Sequence, residues 1–146
     1  PSTQSSREEN TPVTEMFRRI FNFNKSLPKA LKMVLVVRTD LCLSKGKTAS
    51  QCAHAAVMSY EKSLTSGRAN LVDAWKTLGQ PKVVLRVENA QQMEKLYSEA
   101  KSQGINAVLV HDAGRTEIPS GTMTVLGLGP DCSEKLKGIV GELKVL

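Results

Sequence analysis

The 146-residue sequence has no apolar run approaching the roughly 20 residues that a membrane-spanning helix needs. It has three cysteines, Cys42, Cys52 and Cys132, an odd number without C-x-x-C spacing. That argues against a disulfide scaffold and for a reducing compartment. Metal-ligand spacing is missing too. Cys52-Ala53-His54 could be completed only by His111 and two scattered cysteines, so buried structural cysteine is the better reading and no metal is expected. There is no Walker loop, no dinucleotide fingerprint and no serine or cysteine nucleophile arrangement. Phenylalanine is confined to Phe17, Phe21 and Phe23.

What is present suits one globular domain, large enough to bury a core unaided. The formal net charge is +6, which makes polyanions plausible partners. The excess is uneven. Residues 1–50 hold nine Lys or Arg against four acids, a net of +5, and residues 51–146 hold eleven against ten, a net of +1.

Residues 1–31 read as a flexible N-terminal extension. The first eleven carry almost nothing apolar, which favours disorder. Thr11-Pro12 then gives a helix-start signal, and Val13, Met16, Phe17, Ile20 and Phe21 follow at helical spacing beside Arg18, Arg19 and Lys25. One reading is a short basic amphipathic helix that contacts a membrane surface or a protein partner. Such a helix is too short to stand alone in water, so it must dock on its own domain, on a membrane or on a partner, or remain largely unfolded; the last is expected, with ordering on contact. The chain opens on Pro1 without methionine, so a targeting segment ahead of it stays open.

From Lys32 onward the pattern is regular. Met33-Val34-Leu35-Val36-Val37 is a continuous apolar run, as in a strand buried on both faces. Ala49, Cys52, Ala53, Ala56, Val57 and Tyr60 then predict a helix over 47–65 with a mostly alanine inner face. A second helix around Trp75 ends at Gly79. Strands are predicted over 82–87, 106–111 and 122–128, and helices over 90–102 and 133–143. The loop before the last strand is too short for a crossover helix, so that strand should run antiparallel to a neighbour. Gly127-Leu128-Gly129-Pro130 reads as a strand exit. The expected fold is a three-layer α/β/α sandwich around a mixed four-stranded sheet.

Two polar junctions stand beside these strands, Ser44-Lys45-Gly46-Lys47-Thr48-Ala49-Ser50-Gln51 and His111-Asp112-Ala113-Gly114-Arg115-Thr116. Such junctions expose side chains to a ligand while a packed sheet holds them still. Lys47, Gln51, His54 and Met58 share one helix face, opposite the alanines. Lys47 sits at a helix start, where a cation is disfavoured unless an anion is near. Thr48–Gln51 could instead be a capping box, with Gln51 bonding backward. Asp112 ends an apolar strand, where ligands bind in sheets with parallel strands. It could be a general base, a lysine's partner or an Asx-turn former. Thr122 and Thr124 should share one strand face.

Together these residues resemble the type 2 peptidyl-tRNA hydrolase family. The likeness runs in order over residues 32–146. It takes in Lys32–Leu41, Lys45-Gly46-Lys47, Gln51-Cys52-Ala53-His54-Ala55-Ala56, Gly79-Gln80-Pro81-Lys82-Val83-Val84, Asp112–Thr116 and Thr124–Pro130. Ser44 stands where the family usually has glycine. The resemblance implies hydrolysis of the ester between a peptide and the terminal adenosine of tRNA, which recycles tRNA and rescues ribosomes. It implies a homodimer, no metal and no organic cofactor.

The family's active-site positions carry over onto Lys47, Gln51, Asp112, Thr116 and Thr124. His54 belongs to the same motif. Lys45, Lys82 and Arg115, with His54, are expected to contact the peptidyl-tRNA. Ester hydrolysis needs an activated water and a donor for the oxyanion. Asp112 would orient or activate the water, and Lys47 would stabilise the oxyanion or keep Asp112 ionised. The alternative is a non-catalytic RNA-binding or adaptor protein on the same fold, whose mark would be loss of Lys47 or Asp112. The expected compartment is the cytoplasm, with association with the mitochondrion as the alternative.

Overall fold

The structure, a computed structural model, describes residues 12, 13, 16, 30–115 and 117–146. Strand β1, Leu31–Arg38, is followed by helices α1, Lys45–Thr65, and α2, Ala69–Thr77. Then come β2, Lys82–Val87, and α3, Ala90–Ser102. The chain closes with β3, Ala107–His111, β4, Met123–Cys132, and α4, Ser133–Val140. The sheet order is β2-β1-β4-β3. β1 pairs parallel with β2, and β4 lies antiparallel between β1 and β3. Strands β1, β2 and β3 therefore point the same way, with β4 opposed, and the sheet is mixed as expected.

Helices cover both faces. On one, Val34, Val36, Leu126 and Leu128 pack with Met93 and Ala100 of α3 and Leu136 and Ile139 of α4. On the other, Met33, Leu35, Val37 and Val125 pack with Ala55 of α1 and Ala74 and Trp75 of α2. The central strand β1 feeds both cores by alternation, which is why its sequence is apolar without a break.

The structure departs from the sequence reading in several places. Helix α1 starts at Lys45, because Ser44 caps it and accepts the Lys47 N–H at 3.2 Å. The Thr48–Gln51 capping box is therefore not used, and Gln51 is released for another role. The buried stripe of α1 is Gln51, Ala55, Ser59 and Ser63, while Ala49, Ala53 and Val57 are exposed. Gln51 and Ser63 can face inward because Thr124 and Asn106 offer them partners. Asn106 Nδ2 lies 2.9 Å from Ser63 Oγ and 2.8 Å from the Gly129 carbonyl oxygen.

Strand β4 does not exit at Leu128 but continues to Cys132, since a register shift beside Lys32 lets Leu31 and Lys32 pair with Cys132 and Asp131. Helix α4 stops at Val140, and the chain end pairs with the β2 edge instead. The Arg86 N–H donates to the Lys144 carbonyl at 3.0 Å, and the Leu146 N–H to that of Val84 at 3.1 Å.

Pro12, Val13 and Met16 are helical, and Met16 packs against the cluster under α1 and α2. The domain itself thus supplies a contact for that residue. Phe17, Ile20 and Phe21 of the expected helix lie outside the described residues. No described helix is long and apolar enough to cross a membrane.

Candidate active site

The first turn of α1 and the carboxyl end of β3 meet at one side of the sheet. There the Lys47 ammonium pairs with Asp112 Oδ2, a pair whose side chains are only 10% and 3% exposed. Asp112 Oδ1 accepts the Gly114 N–H at 2.7 Å. Gly114 is glycine for a reason: its φ is +74°, and a Cβ would meet the Ser120 backbone nitrogen at 2.7 Å. The Lys47 hydrogen bond, then the Gly114 N–H, hold the Asp112 carboxyl below the ordinary carboxylate range. Asp112 is thus both a lysine partner and an Asx-turn former. With both oxygens engaged it is a poor proton acceptor, which weighs against the general-base role.

Behind this pair, in the sheet, Thr124 is fully buried and Gln51 nearly so. The Thr124 hydroxyl donates to Gln51 Oε1 at 2.5 Å, with the Val110 carbonyl oxygen 3.3 Å away. A glutamine whose oxygen is taken presents its NH₂ end, a donor, to whatever lies beyond. Thr122 does not join Thr124. It precedes β4, and its hydroxyl turns back to the Pro119 carbonyl at 2.7 Å within the loop.

A cleft of about 680 Å³ opens over these groups. Lys47, Gln51, His54 and Met58 line it from α1, as their shared helix face required. Leu109, His111, Asp112 and Arg115 line it from β3 and the loop beyond. His54 is exposed here rather than a core histidine. Cys52, two residues earlier, packs on the core, where burial pushes its thiol up and keeps it neutral. Cys52 and His54 therefore face different ways, as residues two apart on a helix do. Among the described residues, no three His, Cys, Asp or Glu side chains are grouped as a metal ion would need.

The remaining candidates divide. Lys45 is exposed on the first turn of α1 but does not line the cleft. Arg115 lines it. Lys82 is at the start of β2, opposite Met33, and so at the far end of the sheet. Its ammonium donates to the Gln80 carbonyl at 2.9 Å and lies 5.0 Å from the Trp75 ring centre. Lys82 is thus not brought to the cleft. Thr116 lies outside the described residues.

Sequence reasoning missed Glu117, whose carboxylate binds the Ser44 N–H at 3.0 Å and also the Ser44 hydroxyl. A helix cap and an acid 73 residues apart leave no local signal of their pairing. His111, recognised only as a weak metal candidate, also faces the cleft.

The sequence profile of the family described as Peptidyl-tRNA hydrolase PTH2 matches residues 31–146. The chain belongs to this family. A Schizosaccharomyces pombe protein named probable peptidyl-tRNA hydrolase 2 is 40% identical over 150 residues, covering 99% of this chain and 73% of that protein. The Bos taurus protein named peptidyl-tRNA hydrolase 2, mitochondrial, is 39% identical over 142 residues, 97% of this chain and 76% of its own. A peptidyl-tRNA hydrolase of Methanothermobacter thermautotrophicus is 40% identical over 116 residues, 80% of this chain and all of the archaeal protein.

Proposed function

We propose that this chain is a peptidyl-tRNA hydrolase in which Lys47 and Asp112 form the working pair, supported by Gln51 and Thr124. Membership of the family gives the activity, and the buried Lys47–Asp112 pair at the cleft carries the assignment of the site. In the reaction, water adds to the ester carbonyl carbon and gives up a proton, a tetrahedral oxyanion forms, and the carbon–oxygen bond to the terminal adenosine's ribose breaks as the ribose oxygen takes up a proton. The Lys47 ammonium meets the oxyanion's charge, and Asp112 keeps that ammonium charged and in place. The Gln51 NH₂, fixed by Thr124, orients water or substrate.

Thr116 is kept as a further hydroxyl for the same task, and Arg115, Lys45 and His54 as contacts to the RNA end. Lys82 would reach only a remote part of the tRNA. The rival adaptor role loses ground because both Lys47 and Asp112 are present. A homodimer and ribosome rescue follow from the resemblance, and sedimentation of the purified protein tests the first. The reading places the enzyme in the cytoplasm, with the mitochondrion as the alternative that the cattle relative's name supports.

Incubation with an N-blocked aminoacyl-tRNA decides between enzyme and adaptor. Release of free tRNA at substoichiometric protein is expected. Tight binding without release would favour the adaptor.

A further inference from the structure

Among the described residues, two contacts tie the connection from β3 to β4 to the first turn of α1. One is the Lys47–Asp112 pair at the start of the loop. The other comes from its outer part. Glu117 Oε2 accepts the Ser44 N–H at 3.0 Å, and Glu117 Oε1 accepts the Ser44 hydroxyl. Ser44 Oγ in turn accepts the Lys47 N–H at 3.2 Å. A continuous chain of bonds therefore runs from Glu117 through the helix cap to the backbone of Lys47.

The loop is also closed on itself at its neck. The Gly121 N–H donates to the Asp112 carbonyl at 2.7 Å, and the Asp112 N–H to that of Thr122 at 2.8 Å. Asp112 thus lies where the loop is pinched, and displacement of the outer part is felt there. An exposed single ion pair would do little to hold such a loop. Here one carboxylate takes two charge-assisted bonds at a helix N-terminus, where negative charge is favoured. The Ser44 bonds keep Glu117 ionised, with its carboxyl below the ordinary range.

We propose that Glu117 is a positioning residue for peptidyl-tRNA hydrolysis, latching the loop onto Ser44 so that Asp112 meets Lys47 in working geometry. The proposal rests on the reading of Lys47 and Asp112 as the working pair. Glu117 acts through Ser44, not on the substrate. A misplacement of about 1 Å at a reacting group can cost up to a hundredfold in rate, so release of the latch should lower kcat by roughly tenfold or more.

Steady-state hydrolysis of a peptidyl-tRNA by Glu117→Ala, Ser44→Ala, the double variant and Glu117→Gln, each checked for folding by circular dichroism, tests this. Both single variants should lose kcat with KM not lowered, and the double variant should lose no more than the worse single, since one latch is broken. Glu117→Gln, which keeps one acceptor, should fall between. Normal kcat in both folded single variants would overturn the latch. So would additive losses, or a lower KM with unchanged kcat, the mark of an acid that merely repels RNA. A Lys47→Met arm separates the two levels. If it is inactive while Glu117→Ala is normal, the latch alone fails. If Lys47→Met keeps its rate, the site reading beneath the latch fails.

Discussion

Lys47 occupies a place that helix electrostatics disfavour, the first turn of α1, where the macrodipole is positive. Asp112 offsets this, and the bonds it receives from Lys47 and Gly114 depress its pKa. For an acid with a folded pKa below its unfolded value, the stabilising interaction is fully present above the unfolded value. It is lost as pH falls through the folded one. Asp112 therefore titrates below the ordinary carboxylate range and contributes no acid limb near neutral pH. The pH profile of kcat/KM checks this: an inflection near neutral pH that disappears in Asp112→Asn would contradict it. At this scale the sequence exposed the disfavoured lysine and offered three roles for Asp112. Only the three-dimensional pairing shows that two of them coexist and disfavour the third.

Helix α1 delivers Lys47, Gln51 and His54 to the cleft because it lies close on β4, and Gly127 permits that approach. A Cβ on Gly127 would come 2.9 Å from Val108 Cγ2 and 3.1 Å from the Ala55 carbonyl oxygen, and would also collide with Ser59 Oγ. Gly127→Ala should therefore push α1 outward, destabilising the protein by roughly 1–3 kcal/mol and weakening the Thr124–Gln51 bond. Thermal denaturation and hydrolysis rates on the same sample check this, and unchanged values in both would show that the helix has slack. Elements with strong periodicity and clear stops were legible in the sequence: β2 and α3 fall on 82–87 and 90–102 as expected. The inner face of α1 was not. Its apolar pattern favoured Ala49, Ala53 and Val57, whereas Ser63 is inside because Asn106, distant in sequence, meets its hydroxyl, and Ser59 is inside against Gly127. The full extent of β4 was hidden for a similar reason, since its last residues are held by pairing with β1.

The whole chain carries +6, with most of the excess in residues 1–50, which include Lys45 and Lys47. About three phosphate contacts, as from Lys45, Arg115 and one further cation, would weaken tRNA affinity roughly ten- to fortyfold between about 50 and 200 mM salt. Fluorescence anisotropy with labelled tRNA checks this, and a flat salt dependence would show that the RNA body adds little. Residues 1–30 lie outside the family match, so removal of the N-terminal extension should leave kcat unchanged. Met16 packs on the core, so the same truncation should lower Tm by a few degrees. A large loss of rate in a well-folded truncation would mean that the segment helps to build the site. The three layers and the mixed sheet were foreseeable from element order, but the position of β4 between β1 and β3 was not, because loop length fixes direction rather than neighbours.

The central claim is that Lys47 and Asp112 act together on the ester. Single-turnover hydrolysis of a peptidyl-tRNA by Lys47→Met, Asp112→Asn and the double variant tests it most directly, with folding confirmed by circular dichroism. Each single change should cut the rate roughly a hundredfold or more, and the double change should cost little beyond the worse single, as for residues that work as a unit. Folded variants that hydrolyse at near-normal rates would contradict the assignment.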